Sequence, residues 1–232
     1  MCIRDRYRNE NLDSDRCKPE YFEAAMEDCH WIGLNWKGDV VHQSERMELY
    51  RKAFEQLKQS GFLFPCNCTR RDLENAVAAP HGEGSETIYP GTCRQQTTPP
   101  EADCNWRFRV PDGEHVTFED AHYGPQQFVA GRDFGDFPVW QKNGMPSYQL
   151  AVVVDDAAQE ITEVVRGADL LVSTARQLLL YRALKLIAPS FYHCDLMLDA
   201  EGNRLAKRNK ALSLRESRTN GKTPEEVRKE WI

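Results

Sequence analysis

Tyr148-Gln149-Leu150-Ala151-Val152-Val153-Val154-Asp155-Asp156 is the stretch on which the fold turns. Its apolar run is nearly continuous and rich in valine. Such a run suits a strand covered on both faces, as in a parallel sheet, because neither face needs a polar side chain. The Asp155-Asp156 pair then marks where the strand emerges. Just upstream, Phe137-Pro138-Val139-Trp140-Gln141-Lys142 meets Asn143-Gly144, a strong hairpin turn. Downstream, Ile161–Gly167 reads as another strand. Ser173 caps a helix of about 15 residues, rich in Leu178–Leu180, Leu184 and Ile187, which Pro189 stops. Phe191–Leu198 is a further strand, followed by a turn at Asp199–Asn203. Strand, helix and strand in this order predict an α/β layer.

Further out, the periodicity changes. Trp106–Val110 alternates, Pro111-Asp112-Gly113 is a turn signal, and His115–Glu119 alternates back. Pro19–Trp36 reads as a helix, with Phe22, Ala25/Met26, Cys29 and Ile32/Gly33 at helical spacing. A second helix runs from Ser44, a good N-cap, to Gly61, a good residue just past a helix end. Its apolar stripe is Met47, Tyr50, Phe54 and Leu57. Ala79–Ser85 is a loop by composition. Near the end, Thr223-Pro224-Glu225-Glu226 is a capping box with proline at the first helical position.

Cys66-Asn67-Cys68, with Tyr89 and Cys93 beyond, is where the sequence specifies a chemical object. Two thiols one residue apart grip a single ion, and a third thiol closes the site. Thiolates at such spacing suit tetrahedral zinc. Three thiolates need a fourth donor, and the candidates are Tyr89, His81 and Glu86. The bland reading is three unrelated buried cysteines. The other five (Cys2, Cys17, Cys29, Cys104, Cys194) read as packing.

The chain has 232 residues, 41% hydrophobic and 28% charged, ordinary for a globular protein of one or two domains. No apolar stretch approaches the roughly 18 residues of a membrane span, and the N-terminus has no secretory pattern. Eight cysteines in a cytosol-like composition argue for metal and free thiols rather than disulfides, so a cytoplasmic location is expected. A net charge of −6 speaks against a general nucleic-acid coating. Residues 201–232, however, carry nine Lys/Arg against five Glu, and such a basic end can meet phosphate.

Arg204-Leu205-Ala206-Lys207-Arg208, after strand, helix, strand and turn, resembles the KMSKS loop of class I aminoacyl-tRNA synthetases. Tyr148–Asp156, Glu163-Val164-Val165-Arg166-Gly167-Ala168-Asp169 and Ser173-Thr174-Ala175-Arg176-Gln177 look like the core of the glutamyl-tRNA synthetase family. Arg8–Arg16 is similar to that family's Arg-Ile-Glu-Asp-x-Asp-x-x-Arg segment, although Asn9 and Asn11 replace its Ile and Asp. Cys66, Cys68, Tyr89 and Cys93 match its zinc module. The resemblance covers roughly residues 7–215. It is strongest to the truncated branch that lacks the anticodon-binding domain and modifies queuosine in tRNA(Asp).

The resemblance implies an α/β fold: a Rossmann-like class I synthetase catalytic domain with a zinc-binding insertion. It implies a remainder of the N-terminal Rossmann half over 1–62. A zinc-containing insertion and strand-rich connective region would span 63–146, and the second Rossmann half 147–232. It implies ATP-dependent activation of glutamate and transfer to tRNA, with Mg²⁺ accompanying ATP. Glu10 would pair with the ammonium group of glutamate, Tyr148 would contact it, and Arg166 would hold a carboxylate. Arg204 and Lys207 would meet ATP, Lys207 acting on the charge that develops on the phosphates. Cys66, Cys68, Tyr89 and Cys93 would hold a closed, structural zinc. Glutamate, ATP and tRNA are the expected partners, in a monomer with no membrane association. The competing expectations are a piece of a glutamyl-tRNA synthetase charging tRNA(Glu), and a zinc-bearing tRNA-binding module without catalysis. The family's first strand, substrate loop and HIGH motif are not found in the sequence, and Met1–Arg6 has no family counterpart. The chain is therefore expected to be a fragment and a poor catalyst by itself.

Overall fold

A computed structural model of the chain describes residues 6–13, 15–69, 71–72, 88–99, 103–196 and 213–229. It forms two compact units, one of residues 47–196 and one of 1–46 with 197–232.

In the smaller unit, β1 (Arg8–Asn9) pairs in parallel with β2 (Val41–His42), and α1 (Pro19–Trp31) lies between them in sequence. The helix predicted to reach Trp36 stops at Trp31. Gly33 takes the left-handed conformation (φ +86°), and the amides of Gly33 and Leu34 turn back to the carbonyls of His30 and Cys29. This pair of bonds satisfies the last turn and ends the helix. Ser44, expected as an N-cap, sits instead in a 3₁₀ turn, Gln43–Arg46, and exchanges two hydrogen bonds with the Asn11 amide. Two short helices close the unit, α5 (Leu214–Thr219) and α6 (Pro224–Lys229). Arg215 anchors α5 to α1 through Glu27, Asp28 and the Ala24 carbonyl. The predicted capping box is present in both directions, Thr223 N to Glu226 Oε2 at 2.7 Å and Glu226 N to Thr223 Oγ1 at 3.3 Å.

The larger unit holds α2 (Met47–Gln59), α3 (Tyr148–Ala158) and α4 (Leu171–Leu184) with two sheets. One is antiparallel, in the order β3 (Leu63–Cys66), β4 (Asn105–Phe108), β7 (Phe137–Trp140). The other is mixed, in the order β6 (Gly124–Val129), β5 (His115–Asp120), β9 (Ser190–Cys194), β8 (Glu163–Gly167). The predicted strand–helix–strand unit is β8–α4–β9, with β8 and β9 parallel in the register Arg166 opposite His193. Gly61 ends α2 as expected, at φ +77°.

The decisive stretch is a helix, not a strand. Tyr148–Ala158 is α3, and it packs against α2, α4 and β7. Leu150 to Asp156 are all buried. A helix enclosed on every side reads as a continuous apolar run, as an enclosed strand does. The intrinsic cost of valine in a helix is a few tenths of a kcal/mol, whereas each fully buried valine or leucine contributes about 1.5–3 kcal/mol. Asp155 does not emerge into water; it is buried and accepts a hydrogen bond from Tyr50 Oη at 2.8 Å.

The Asn143-Gly144 turn forms, with Gly144 at φ +81°, but it opens no full hairpin. A single bridge joins Trp140 to Pro146, and proline, having no N–H to donate, ends the ladder before α3 begins. The Pro111–Gly113 turn joins the two sheets rather than two neighbouring strands, since β4 and β5 belong to different sheets. Ser173 lies inside α4 and is no cap. That helix stops at Lys185, which takes a left-handed conformation (φ 58°), four residues before Pro189. Strands β3 and β6 carry no expectation from the periodicity. The loop at 79–85 and the turn at 199–203 lie outside the described residues, as does the end of the strand predicted to reach Leu198.

Candidate functional site

Strand β3 brings Cys66 to its last position, two residues beyond Phe64 on the same face. Arg107, directly opposite Phe64 on β4, points to that face as well. Cys68 follows in the loop. The Tyr89–Cys93 turn, with Gly91 at φ +81°, returns a phenol and a third thiol to the same place. The sulfurs of Cys66, Cys68 and Cys93 all lie within 4.8 Å of one another, Cys68 and Cys93 at 3.6 Å. Tyr89 Oη is 3.5 Å from Cys66 Sγ and 3.7 Å from Cys68 Sγ. The Cys93 amide holds that oxygen at 2.7 Å. Zn–S bonds near 2.3 Å in a tetrahedron set sulfurs about 3.8 Å apart, so the donor set fits this metal. His81 and Glu86, the other candidates for a fourth donor, lie outside the described residues.

Electrostatics separate the donors. Burial pushes the Cys68 thiol up to about 11, against a lowering by its hydrogen bond to Tyr89. Burial, then the hydrogen bond with Cys66, raises the Tyr89 phenol above its ordinary value. For Cys93 burial also acts upward, but bonds to Tyr89, the Asn67 backbone, Cys68 and Cys66 outweigh it and leave the thiol lowered. Three thiols and a phenol therefore share one pocket, and a cation bound there would displace protons from them. Arg107 is the one cation that the described residues place there. Its Nε donates to Cys66 Sγ at 3.3 Å, and its guanidinium lies 4.1 Å from the Tyr89 ring centroid. The sequence hides Arg107 inside an alternating strand; the signal was a charge on the covered face.

Arg166 stands on β8, half-buried. Its Nε donates to His193 Nε2 at 3.2 Å and its Nη2 to Thr174 Oγ1 at 2.6 Å. His193 Nδ1 lies 2.6 Å from Asp120 Oδ2, and both side chains are fully buried. Tyr148 opens α3 and is 43% exposed. The next residue, Gln149, bonds Ser173 Oγ at 3.2 Å, and Ser173 neighbours Thr174. Gln149, beside Tyr148, and Arg166 thus both bond to the first turn of α4. Glu10 belongs to the smaller unit, directly after β1, where it is exposed and paired with Arg8 at 3.1 Å. Arg204 and Lys207 lie outside the described residues. His193, Asp120 and Thr174 were not singled out by sequence reasoning. The available signal was a histidine on the inner face of the strand after Phe191. Among the described residues, no helix is long and apolar enough to cross a membrane.

A parallel β–α–β unit carrying an arginine and an antiparallel sheet carrying a cysteine cluster make the larger unit a mixed α/β fold. The family model for tRNA synthetases class I (E and Q), catalytic domain, matches residues 6–229, and the chain belongs to that family. Among curated relatives, the glutamyl-Q tRNA(Asp) synthetase of Symbiobacterium thermophilum is 46% identical, over 95% of this chain and 72% of that protein. Its namesake from Nitratidesulfovibrio vulgaris is 42% identical, over 92% and 70%. A solved glutamate tRNA ligase from Elizabethkingia meningosepticum, in complex with its amino acid, superposes with a TM-score of 0.73 at 26% identity. It covers 92% of this chain and 46% of that one. The chain thus spans about half the length of the solved structure and some seven-tenths of the curated relatives. The class I fold with mixed α/β architecture agrees with the expectation from the sequence.

Proposed function

We propose that the chain carries part of the catalytic apparatus of an ATP-dependent ligase that glutamylates queuosine in tRNA(Asp). The carrying observation is the 46% identity, over nearly the whole chain, to a relative of that name. In this reading a glutamate carboxylate oxygen attacks the α-phosphorus of ATP, and pyrophosphate leaves. A hydroxyl of the queuosine ring then attacks the acyl carbon, and AMP leaves. Neither step needs a strong acid or base, so rate comes from holding the reactants in line and stabilising charge.

Arg166 supplies a guanidinium fork for a glutamate carboxylate, Tyr148 a phenol beside it, and Glu10 a carboxylate for the substrate ammonium group. Arg204 and Lys207 neutralise the triphosphate, with Mg²⁺. A zinc ion held by Cys66, Cys68, Tyr89 and Cys93 would be closed to substrate and would stabilise the fold of the insertion. The organisation follows as 1–62, 63–146 and 147–232, a Rossmann-like domain divided by the zinc-bearing insertion.

The test is transfer of labelled glutamate, with ATP, onto purified tRNAs by the protein expressed from its natural gene. Label on queuosine-containing tRNA(Asp), and none on its unmodified form, is the expected result. Label on tRNA(Glu) would instead make this a glutamyl-tRNA synthetase, the reading favoured by the likeness to the solved glutamate tRNA ligase. Label on neither would point to a non-catalytic tRNA-binding module.

A further inference from the structure

We propose that Asp120 and His193 are positioning residues for Arg166, orienting its guanidinium so that one edge is presented to the substrate carboxylate. The inference rests on the reading of Arg166 as a glutamate-binding residue.

The geometry allows one protonation pattern. A guanidinium has donors and no acceptor. Arg166 Nε, 3.2 Å from His193 Nε2, therefore makes that nitrogen an acceptor. The ring proton must then sit on Nδ1, which faces Asp120 Oδ2 at 2.6 Å. Asp120 also accepts the backbone N–H groups of Tyr123 (2.9 Å), His122 (3.1 Å) and His193 (3.3 Å). Burial acts to raise this carboxyl, but those donors outweigh it and bring it to about 2, so it stays ionised. The ionised carboxylate fixes the tautomer of His193, and the tautomer offers Arg166 a lone pair.

The backbone enforces the alignment. Arg166 and His193 are register partners on the parallel strands β8 and β9. Asp120 pairs with Phe191 on the other side of β9. The Phe191 ring lies 5.5 Å from the guanidinium carbon and supports it from beside the strand. From α4, Thr174 Oγ1 accepts from Nη2 at 2.6 Å. His193 and Thr174 thereby occupy the edge of the guanidinium formed by Nε and Nη2. Among the described residues, Nη1 has no hydrogen-bond partner. Nη1 and the second Nη2 hydrogen form the end-on edge, whose two parallel N–H bonds match a carboxylate.

Stability alone is a poor account of this arrangement. A buried carboxylate bonded to a neutral imidazole gains little over apolar side chains of equal volume, because the desolvation of the charge offsets its hydrogen bonds. Fixing a flexible, long side chain before the ligand arrives does have a return: the ordering cost is met in folding rather than in binding.

The test compares two variants in ATP–pyrophosphate exchange, using the protein expressed from its natural gene. His193→Asn keeps a donor near Asp120 but cannot reach Arg166. His193→Gln reaches Arg166 with an acceptor but abandons Asp120. Positioning predicts that His193→Asn raises KM for glutamate about tenfold, the worth of one hydrogen bond to a charged group, with KM for ATP unchanged. It predicts His193→Gln closer to wild type. A purely structural role predicts the reverse order, or parallel movement of both KM values, and either result overturns the inference. Arg166→Ala separates the two layers of the argument. If it leaves KM for glutamate unchanged, the reading of the site falls and the inference with it. If it raises that KM while His193→Asn does not, only the positioning role falls. Should His193→Asn fail to fold, Thr174→Val removes the other anchor of the same edge. A selective rise in KM for glutamate then supports the inference, and an unchanged KM overturns it.

Discussion

The thiol cluster and the Arg166 network are both polar groups buried in the larger unit, yet they are satisfied in opposite ways. In the cluster, three thiols and a phenol converge on one point, with sulfurs within 4.8 Å of each other. Cys66 Sγ donates to Tyr89 Oη, the four groups bond mainly to one another, and Arg107 is the one cation bonded to them among the described residues. In the network donors alternate with acceptors: Asp120, His193, Arg166 and Thr174 form a connected series of bonds at 2.6–3.2 Å, and Arg166 Nη1 is left without a partner among the described residues. That series holds one negative charge, on Asp120, and one positive charge, on Arg166. The difference is between a site that a cation completes and a site whose opposite charges are both supplied by its own residues. The first should depend on the solution around it, through linkage to metal and to protons. The second should be rigid at neutral pH and respond to changes in its own residues.

Metal content is the strongest way to break the comparison. The wild-type protein is expected to purify with one zinc per chain, and Cys93→Ser to lose it with a fall in Tm of about 10 °C. Elemental analysis and thermal unfolding, run together, check this. Full stability without zinc would make the cluster as self-sufficient as the network. The next effect is on chemistry. Arg166→Ala is expected to lower kcat/KM for glutamate about a hundredfold, or ~2.7 kcal/mol, while zinc content stays at one. A loss of zinc in this variant would show that the two sites are one cooperative unit.

Acid sharpens the contrast next. The Asp120 carboxyl lies at about 2 in the folded protein, below the ~3.9 of an unfolded chain. Because the folded value is the lower, its contribution is fully present above about pH 4 and is lost as pH falls towards 2. The amount is about 2–3 kcal/mol. Urea unfolding at stepped pH should show that slope in wild type and a flatter line in Asp120→Asn. Equal slopes would remove the network's anchor from the argument.

How legible each region was follows from the same physics. Each half of the cluster is local: Cys66 and Cys68 are two residues apart and Tyr89 and Cys93 four, so spacing suggested the three thiols, while the resemblance chose Tyr89 among three candidate fourth donors. The network joins residues 120, 166, 174 and 193 from four elements, and only the register of β8 with β9 makes Arg166 and His193 neighbours. No spacing rule announces that. The fold divides similarly. Helix ends at Gly61 and the capping box at Thr223 rest on neighbouring residues and were readable. Tyr148–Ala158 was misread because enclosure by α2, α4 and β7, not periodicity, decides its state. A run covered on all sides has no polar face to report its period.

The smallest expected effect probes the one residue that gives the cluster some of the network's character. Arg107 donates Nε to Cys66 Sγ at 3.3 Å, donates Nη1 to the Asp136 carbonyl at 2.9 Å, and lies over the Tyr89 ring. It touches two of the four donors. A full set of three thiolates and a phenolate around a dication would carry net negative charge, and a nearby guanidinium offsets part of it. Lysine at this position keeps the charge but loses the planar fork and the stacking. Arg107→Lys should therefore weaken zinc binding by only about fivefold, or ~1 kcal/mol, measured by competition with a chromophoric chelator. Arg107→Met, which keeps the length and removes the charge, should weaken it further. If the two variants bind zinc equally, the charge beside the thiols has no role and Arg107 is there to hold Asp136. If both match wild type, the cluster holds its metal through its own donors alone, and the contrast with the network becomes complete.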